Sequence, residues 1–159
     1  MNNRTAIYHP TAKGDGAALT VEVTPANEMR AGYIKLGIVP QMKCKQPEGA
    51  PKVFPWFKWI EEVKVRLHPL ETTQLIEVFT GVSEDIHGGI TSQSCGKETT
   101  FNVRHVAEPS FGYEVSIKVK EEVDGKRKTK TAIFRLTPTE AFMLTIGLQQ
   151  IMPKLLFAL

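Results

Sequence analysis

The feature that most limits the possible folds is a strand-to-helix joint that occurs twice. The hexapeptides "RLHPLE" and "RLTPTE" begin at Arg66 and Arg135 and agree at four positions. In each, an alternating segment runs into a proline suited to the first turn of a helix, and a glutamate follows where it can cap that helix. A repeated joint predicts that the chain contains two copies of one structural unit.

The second copy has the clearer strand pattern. The segments "ITSQSCGK", "TTFNVRHV", "YEVSIKVKEE" and "KTKTAIFRL" precede the second joint. Apolar and polar residues alternate in the last three, which is typical of half-buried strands. Asp124-Gly125 separates the last two segments and is a hairpin-turn signal. Together they predict a β-β-β-β-α unit at 88–153.

The first copy follows the same order at 5–81. Its predicted strands are "TAIYHP", "ALTVEVTP", "GYIKLGIV" and "FKWIEEVKVRL", with a proline-rich connection before the fourth. Pro69 opens the helix, and Gly81 is placed to end it. One such sheet with one short helix would leave apolar surface in water, so the two units should pair. The fold class is therefore α+β, with antiparallel sheets packed on helices in a single domain at 1–159.

Three segments along the chain carry a shared pattern: "KGDGAALTVEVTP", "PWFKWIEEVKVRLHPLETTQLIEVF" and "FRLTPTEAFMLTIGLQQIMPKL". In this order they resemble segments of the Whirly family. Relatives of that family include mitochondrial guide-RNA-binding proteins, Pur-alpha repeats and the positive-cofactor-four domain. The resemblance implies non-catalytic binding of single-stranded nucleic acid with little sequence specificity, with DNA favoured over RNA. Such a protein would protect or organise single strands. It also implies a homotetramer whose helices form the hub.

One position departs from the family's lysine-rich signature. Lys13-Gly14 is followed by Asp15 where the family has a second lysine. A carboxylate facing a nucleic-acid strand would repel phosphate. We therefore expect a weaker contact at this point. The resemblance does not carry over the assembly of tetramers into larger particles, which this motif supports in the family.

The predicted outward faces of the strands carry more cations than acids. Nonspecific binding of single strands needs cations along the backbone and aromatic faces that stack on bases. In "FPWFKW", Trp56 is the candidate for stacking, whereas Trp59 is in phase with Val63 and Val65 and is expected in the core. Arg135 shares the outward face, as do the acids Glu22, Glu62 and Glu114. The candidate nucleic-acid-binding residues are Lys13, Tyr33, Lys35, Trp56, Lys58, Lys64, Arg66, Arg104, Lys118, Lys120 and Arg127.

Catalysis has little support in the sequence. The four histidines show no metal-ligand spacing, and no phosphate-binding loop motif occurs. Glu61-Glu62 and Glu121-Glu122 are predicted on strands, where neighbours point to opposite faces and cannot form a carboxylate pair. We expect no enzyme activity, cofactor, metal or small-molecule substrate. The net charge of only +3 keeps an alternative open, an oligomeric structural or protein-interaction module that does not bind nucleic acid.

The C-terminal segment "AFMLTIGLQQIMPKLLFAL" is apolar on nearly all sides. Gln149, Gln150, Pro153 and Lys154 interrupt it, so it predicts a buried or intersubunit helix rather than a membrane span. Its excess apolar surface favours an oligomer, most simply a tetramer.

The N-terminus lacks the apolar region of a signal peptide. The expected location is the cytoplasm, associated with the nucleoid, or an organelle matrix if a transit peptide has been removed.

Overall fold

Two four-stranded antiparallel sheets, each followed by a helix, make up the fold. The computed structural model describes residues 4–42 and 57–158. The first unit contains β1 (Arg4–His9), β2 (Ala17–Thr24), β3 (Tyr33–Pro40), β4 (Val63–Leu67) and α1 (Pro69–Phe79). The second contains β5 (Ile90–Ser94), β6 (Lys97–Val106), β7 (Gly112–Val123), β8 (Lys126–Leu136) and α2 (Pro138–Leu156). Both sheets keep their strands in sequence order, which confirms the predicted fold class.

The alternating apolar residues of both sheets face a single core. Ile34 from the first sheet, Phe101 from the second, Leu75 from α1 and Leu155 from α2 are all essentially inaccessible to solvent and belong to one cluster. The two helices also pack against each other. Each unit therefore buries the apolar surface that the other could not cover alone.

The helix ends follow the sequence signals. The Thr137 hydroxyl accepts a hydrogen bond from the Glu140 backbone N–H at 3.2 Å, and the Glu140 carboxylate accepts one from the Thr137 N–H at 3.0 Å. Gly81 follows α1 with a φ of +78°, a conformation that glycine adopts without strain. Its N–H and that of Val82 donate to carbonyls of the last turn, which completes a Schellman motif.

The predicted fourth strand is shorter than expected. Only Val63–Leu67 is extended, whereas Trp59–Glu61 forms one 3-10 turn (η1). The Lys58 N–H donates to the Pro40 carbonyl, and the Glu61 N–H donates to the Lys58 carbonyl, so the chain bends before β4 begins. This bend takes Trp59 out of phase with Val63, and its side chain is 44% exposed. The predictions that Trp59 lies in the core and that Glu61 lies on a strand are both wrong.

Helix α2 has a buried side and an exposed side that is also apolar. Ala141, Leu144, Leu148 and Leu155 face the core, while Phe142, Met143, Ile146 and Leu156 are exposed. Among the described residues, no helix is long and apolar enough to cross a membrane.

Candidate nucleic-acid interface

The outer face of the first sheet carries a row of charged side chains across all four strands. Arg4, Glu22, Lys35 and Arg66 are successive cross-strand neighbours on β1, β2, β3 and β4. The Lys35 ammonium lies 4.0 Å from the Glu22 carboxylate. Lys64 stands in the next row and is exposed. This face therefore places four cations close together, with one acid in the row.

An aromatic cluster lies at the end of this face. The ring of Phe57 is buried against Ala18 and Val39 on the side of the sheet away from the main core. Tyr8 and Trp59 pack against it, with ring centroids 5.2 and 6.3 Å from that of Phe57. Tyr8 is 51% exposed and Trp59 44% exposed, so each is held in place yet accessible. We define the first-sheet patch as Arg4, Tyr8, Lys35, Trp59, Lys64 and Arg66.

Tyr33 points to the same face, but its ring is covered. Its side chain is only 8% exposed, because the Arg66 guanidinium lies 4.2 Å from the ring centroid and the Lys35 ammonium 5.8 Å from it. A hydrogen bond with Thr24, opposed by burial and aided by these cations, lowers the pKa of Tyr33. The ring supports two cations of the patch and presents no free surface to a base.

The other first-unit candidates are Lys13, Lys58 and Trp56, and none is a member of the patch. Lys13 is exposed in the connection between β1 and β2, where the Asp15 carboxylate accepts a hydrogen bond from the Thr11 hydroxyl. The Lys58 ammonium lies 3.5 Å from the Glu61 carboxylate. Trp56, the predicted stacking residue, lies outside the described residues.

The outer face of the second sheet pairs some of its cations with acids and leaves others without an ion pair in the described part of the chain. Arg104 pairs with Glu114 at 3.0 Å, and Lys120 lies 3.9 Å from Glu98. Lys118 and Arg127 are exposed and form no ion pair with any described residue. The described outer face of this sheet carries no aromatic side chain. The structure thus brings the first-sheet candidates together and separates them from those of the second sheet.

A cleft separates η1 and β4 from the far ends of β6, β7 and β8. It has a volume of about 660 Å³. The Lys130 ammonium bridges the two sides by donating to the Glu61 carbonyl at 3.0 Å. The cleft borders the first-sheet patch at Lys64. Its charged lining residues are Glu61, Glu62, Lys64, Lys97, Glu121, Lys128 and Lys130.

The sequence analysis missed several of these side chains. Arg4 and Tyr8 alternate with Ile7 on β1, and this phase could have placed them on the outer face. Lys128 and Lys130 lie on the same face of β8 as the buried Phe134, so the alternation predicts that they face the core and not solvent. They are nevertheless accessible, because β8 extends past the part of the core that the first sheet covers.

One titratable pair joins the two units away from the patch. The His9 Nε2 lies 2.7 Å from a Glu140 carboxylate oxygen, and the His9 ring stacks on Phe134. Partial burial raises the pKa of Glu140, but hydrogen bonds from the Thr137 backbone, His9 and the Thr137 hydroxyl outweigh it, so the pKa lies below its ordinary value. Within 4–42 and 57–158, no group of three or more metal-ligating side chains is assembled.

Comparison with known proteins identifies the fold. No family model and no curated protein matches the chain. Among solved structures, WHY1 from Arabidopsis thaliana is 17% identical with a TM-score of 0.69, covering 98% of this chain and 86% of that chain. The plant transcriptional regulator PBF-2 is 17% identical with a TM-score of 0.71, covering 98% and 82%. A guide-RNA-binding protein complex bound to a guide RNA is 14% identical with a TM-score of 0.55, covering 95% and 90%. The chain therefore has the fold of the Whirly proteins, as the sequence resemblance predicted.

Proposed function

We propose that this protein binds single-stranded nucleic acid without catalysis and with little sequence specificity, DNA in preference to RNA. The observation that carries the proposal is the first-sheet patch, where the accessible rings of Trp59 and Tyr8 lie beside Arg4 and other cations. Rings of this kind stack on bases, and the cations neutralise phosphates. A protein of the same fold was solved bound to guide RNA, which supports a nucleic-acid ligand.

Preference for single strands follows from the aromatic part of the patch. A duplex hides its base faces, so Trp59 and Tyr8 would contribute nothing to duplex binding. Each stacked base is worth about 1–3 kcal/mol. The cations lie on different strands of the sheet and would meet phosphates rather than base edges, so sequence specificity should be weak.

A single strand that leaves the patch has a continuous path into the cleft. Lys64 borders both surfaces, and Lys128 and Lys130 line the far wall. We assign phosphate contacts to these lysines. The remaining candidates would act as auxiliary phosphate contacts and are Lys13, Lys58, Arg104, Lys118, Lys120 and Arg127.

A homotetramer is part of this proposal. The exposed apolar side of α2, with Phe142, Met143 and Ile146, would lie in water in an isolated chain. Exposed apolar patches commonly mark protein interfaces. Association through α2 would direct the sheets outward and give one strand several patches to cross. A protein of this kind would protect or organise single strands in the cytoplasm with the nucleoid, or in an organelle matrix.

The same face of α2 also favours the second candidate function, an oligomeric interaction module without nucleic acid. One experiment separates the two: titration of labelled single-stranded DNA, single-stranded RNA and matched duplex at several salt concentrations. We expect single strands to bind more tightly than duplex, with log K falling with log[salt] by about 0.7 per phosphate contacted. No binding by a protein that remains oligomeric would favour the module, and a flat salt response would refute the proposed contacts.

A further inference from the structure

A nearly buried carboxylate lies at the centre of the first-sheet patch. The Glu62 side chain is only 6% exposed, although it lies on the outer face of the sheet. Its Oε1 accepts hydrogen bonds from Arg4 Nη2 at 2.8 Å and from the Thr20 hydroxyl at 2.5 Å, and its Oε2 lies 3.3 Å from the Lys64 ammonium. Removing a charge from water is costly unless it is paired and hydrogen-bonded, as it is here.

The first sheet is shaped to accept this side chain. Glu62 precedes β4, yet its side chain crosses β3 to meet Thr20 on β2, where the Arg4 side chain reaches it from β1. It crosses β3 at Gly37, where a Cβ atom would overlap with the Glu62 carboxylate and the Thr20 hydroxyl. Glycine within a strand commonly marks a place where another group approaches the backbone closely.

Glu62 acts on the two parts of the patch that would contact nucleic acid. By binding Arg4, it holds the guanidinium carbon 4.8 Å from the centre of the Trp59 ring. By pairing with Arg4 and Lys64 together, it offsets positive charge that phosphates would otherwise meet. The first effect favours stacking on the ring, and the second weakens binding that depends on phosphates alone.

We infer that Glu62 is a specificity-determining residue that sets the preference for single strands over duplex. The inference rests on the proposed function, because it concerns how the same patch discriminates between ligands. Single strands gain from a fixed Trp59 ring, whereas duplex binding has only the phosphate contribution and is reduced by the neutralised cations.

The test is Glu62→Gln in the full chain, with matched single-stranded and duplex 20-mers titrated at several salt concentrations. Glutamine keeps the size of the side chain but no longer neutralises Arg4 and Lys64. One carboxylate offsets one unit of positive charge, so we expect duplex affinity to rise by about eightfold at 0.1 M salt, with a slope steeper by about 0.9. Single-strand affinity should rise less than duplex affinity, or should fall, because the Trp59 ring is no longer held in place. The ratio of single-strand affinity to duplex affinity should therefore drop roughly fivefold or more.

Glu22→Gln is the matched control. Glu22 is an acid of the same face whose carboxylate pairs with Lys35, whereas Arg4 pairs with Glu62. This change removes the same charge, so it should steepen the salt dependence while leaving the affinity ratio within about twofold of its original value. In a Trp56→Phe background, Glu62→Gln should also alter the fluorescence of Trp59, and Glu22→Gln should not. Equal changes of the ratio in both variants would overturn the inference.

A second variant covers the case in which Glu62→Gln does not fold. Glu62→Asp keeps the charge but is one methylene shorter and should not reach Arg4. We expect it to weaken single-strand binding and to leave duplex binding within twofold; an unchanged single-strand affinity would contradict the inference. If the unmodified protein binds no single strand, the proposed function fails; if it binds but neither variant changes the ratio, only the role of Glu62 fails.

Discussion

Replacing Trp59 by alanine should separate nucleic-acid binding from stability. Trp59 is 44% exposed and rests on Tyr8 and Phe57, so part of the ring stabilises the fold and part is open to a base. We expect Trp59→Ala to weaken single-strand binding by about 1–3 kcal/mol and to leave duplex binding nearly unchanged.

The cost to stability can be estimated from the same exposure. An indole can bury roughly 200 Å², and about half of that is in contact here. At about 25 cal/mol per Å², the loss on truncation is about 2–3 kcal/mol as an upper estimate. This is less than the roughly 3–5 kcal/mol expected for a fully buried tryptophan. The fold should therefore survive the substitution.

The assay combines urea unfolding with titration of matched single-stranded and duplex oligonucleotides. Ile60→Ala is the control, because Ile60 lies in the same turn and is almost fully exposed, so neither quantity should change by more than about 0.5 kcal/mol. Trp59→Phe should recover part of the single-strand affinity. Equal losses on single strands and duplex for Trp59→Ala would show that the ring only packs against the sheet, and would refute the stacking argument.

Three further outcomes are expected. Ile146→Asp on the exposed side of α2 should reduce the sedimentation coefficient toward that of a monomer while retaining helical circular dichroism; an unchanged coefficient would exclude this face from the interface. Lys64→Ala should weaken the binding of single strands and of duplex alike. It should reduce the single-strand salt slope, measured by titration, by less than about 0.7, because Glu62 already offsets part of the Lys64 charge. Because the pKa of Glu140 is lowered in the fold, its contribution to the free energy of unfolding is present above the ordinary glutamate pKa of about 4.3 and is lost as the pH falls through the lower folded value. In urea unfolding between pH 6 and 3, Glu140→Gln should show a smaller decline than the unmodified protein, and parallel declines would contradict this.

The strand and helix pattern could be predicted because the local signals agree with the global fold. Tyr113, Val115 and Ile117 alternate on a strand buried on one side, and Thr137 with Glu140 supplies a complete capping box. Such features depend on period and on neighbours three residues away, which a sequence displays directly.

The composition of the patch could not be predicted in the same way. The alternation of β4, extended backward, predicts that Trp59 lies in the core, but the hydrogen bond from the Lys58 N–H to the Pro40 carbonyl starts a turn there. Tyr33 has the outward phase that was expected, yet Arg66 from a neighbouring strand covers its ring. Both outcomes depend on contacts between distant segments, which periodicity alone does not contain.

The tight turns of the second sheet bear on the order in which the chain folds. Two residues, Asp124 and Gly125, join β7 to β8, and both have positive φ, as a type I′ hairpin requires. In the first sheet, residues 41–62 separate β3 from β4, a connection roughly tenfold longer, which adds about 2 kcal/mol of loop-closure entropy before those strands pair. Contacts close in sequence form early in folding. The contacts of the β6–β8 meander should therefore already be formed in the folding transition state, so mutations there should slow folding as well as lower stability. The first sheet, with its patch, should assemble on the meander afterwards.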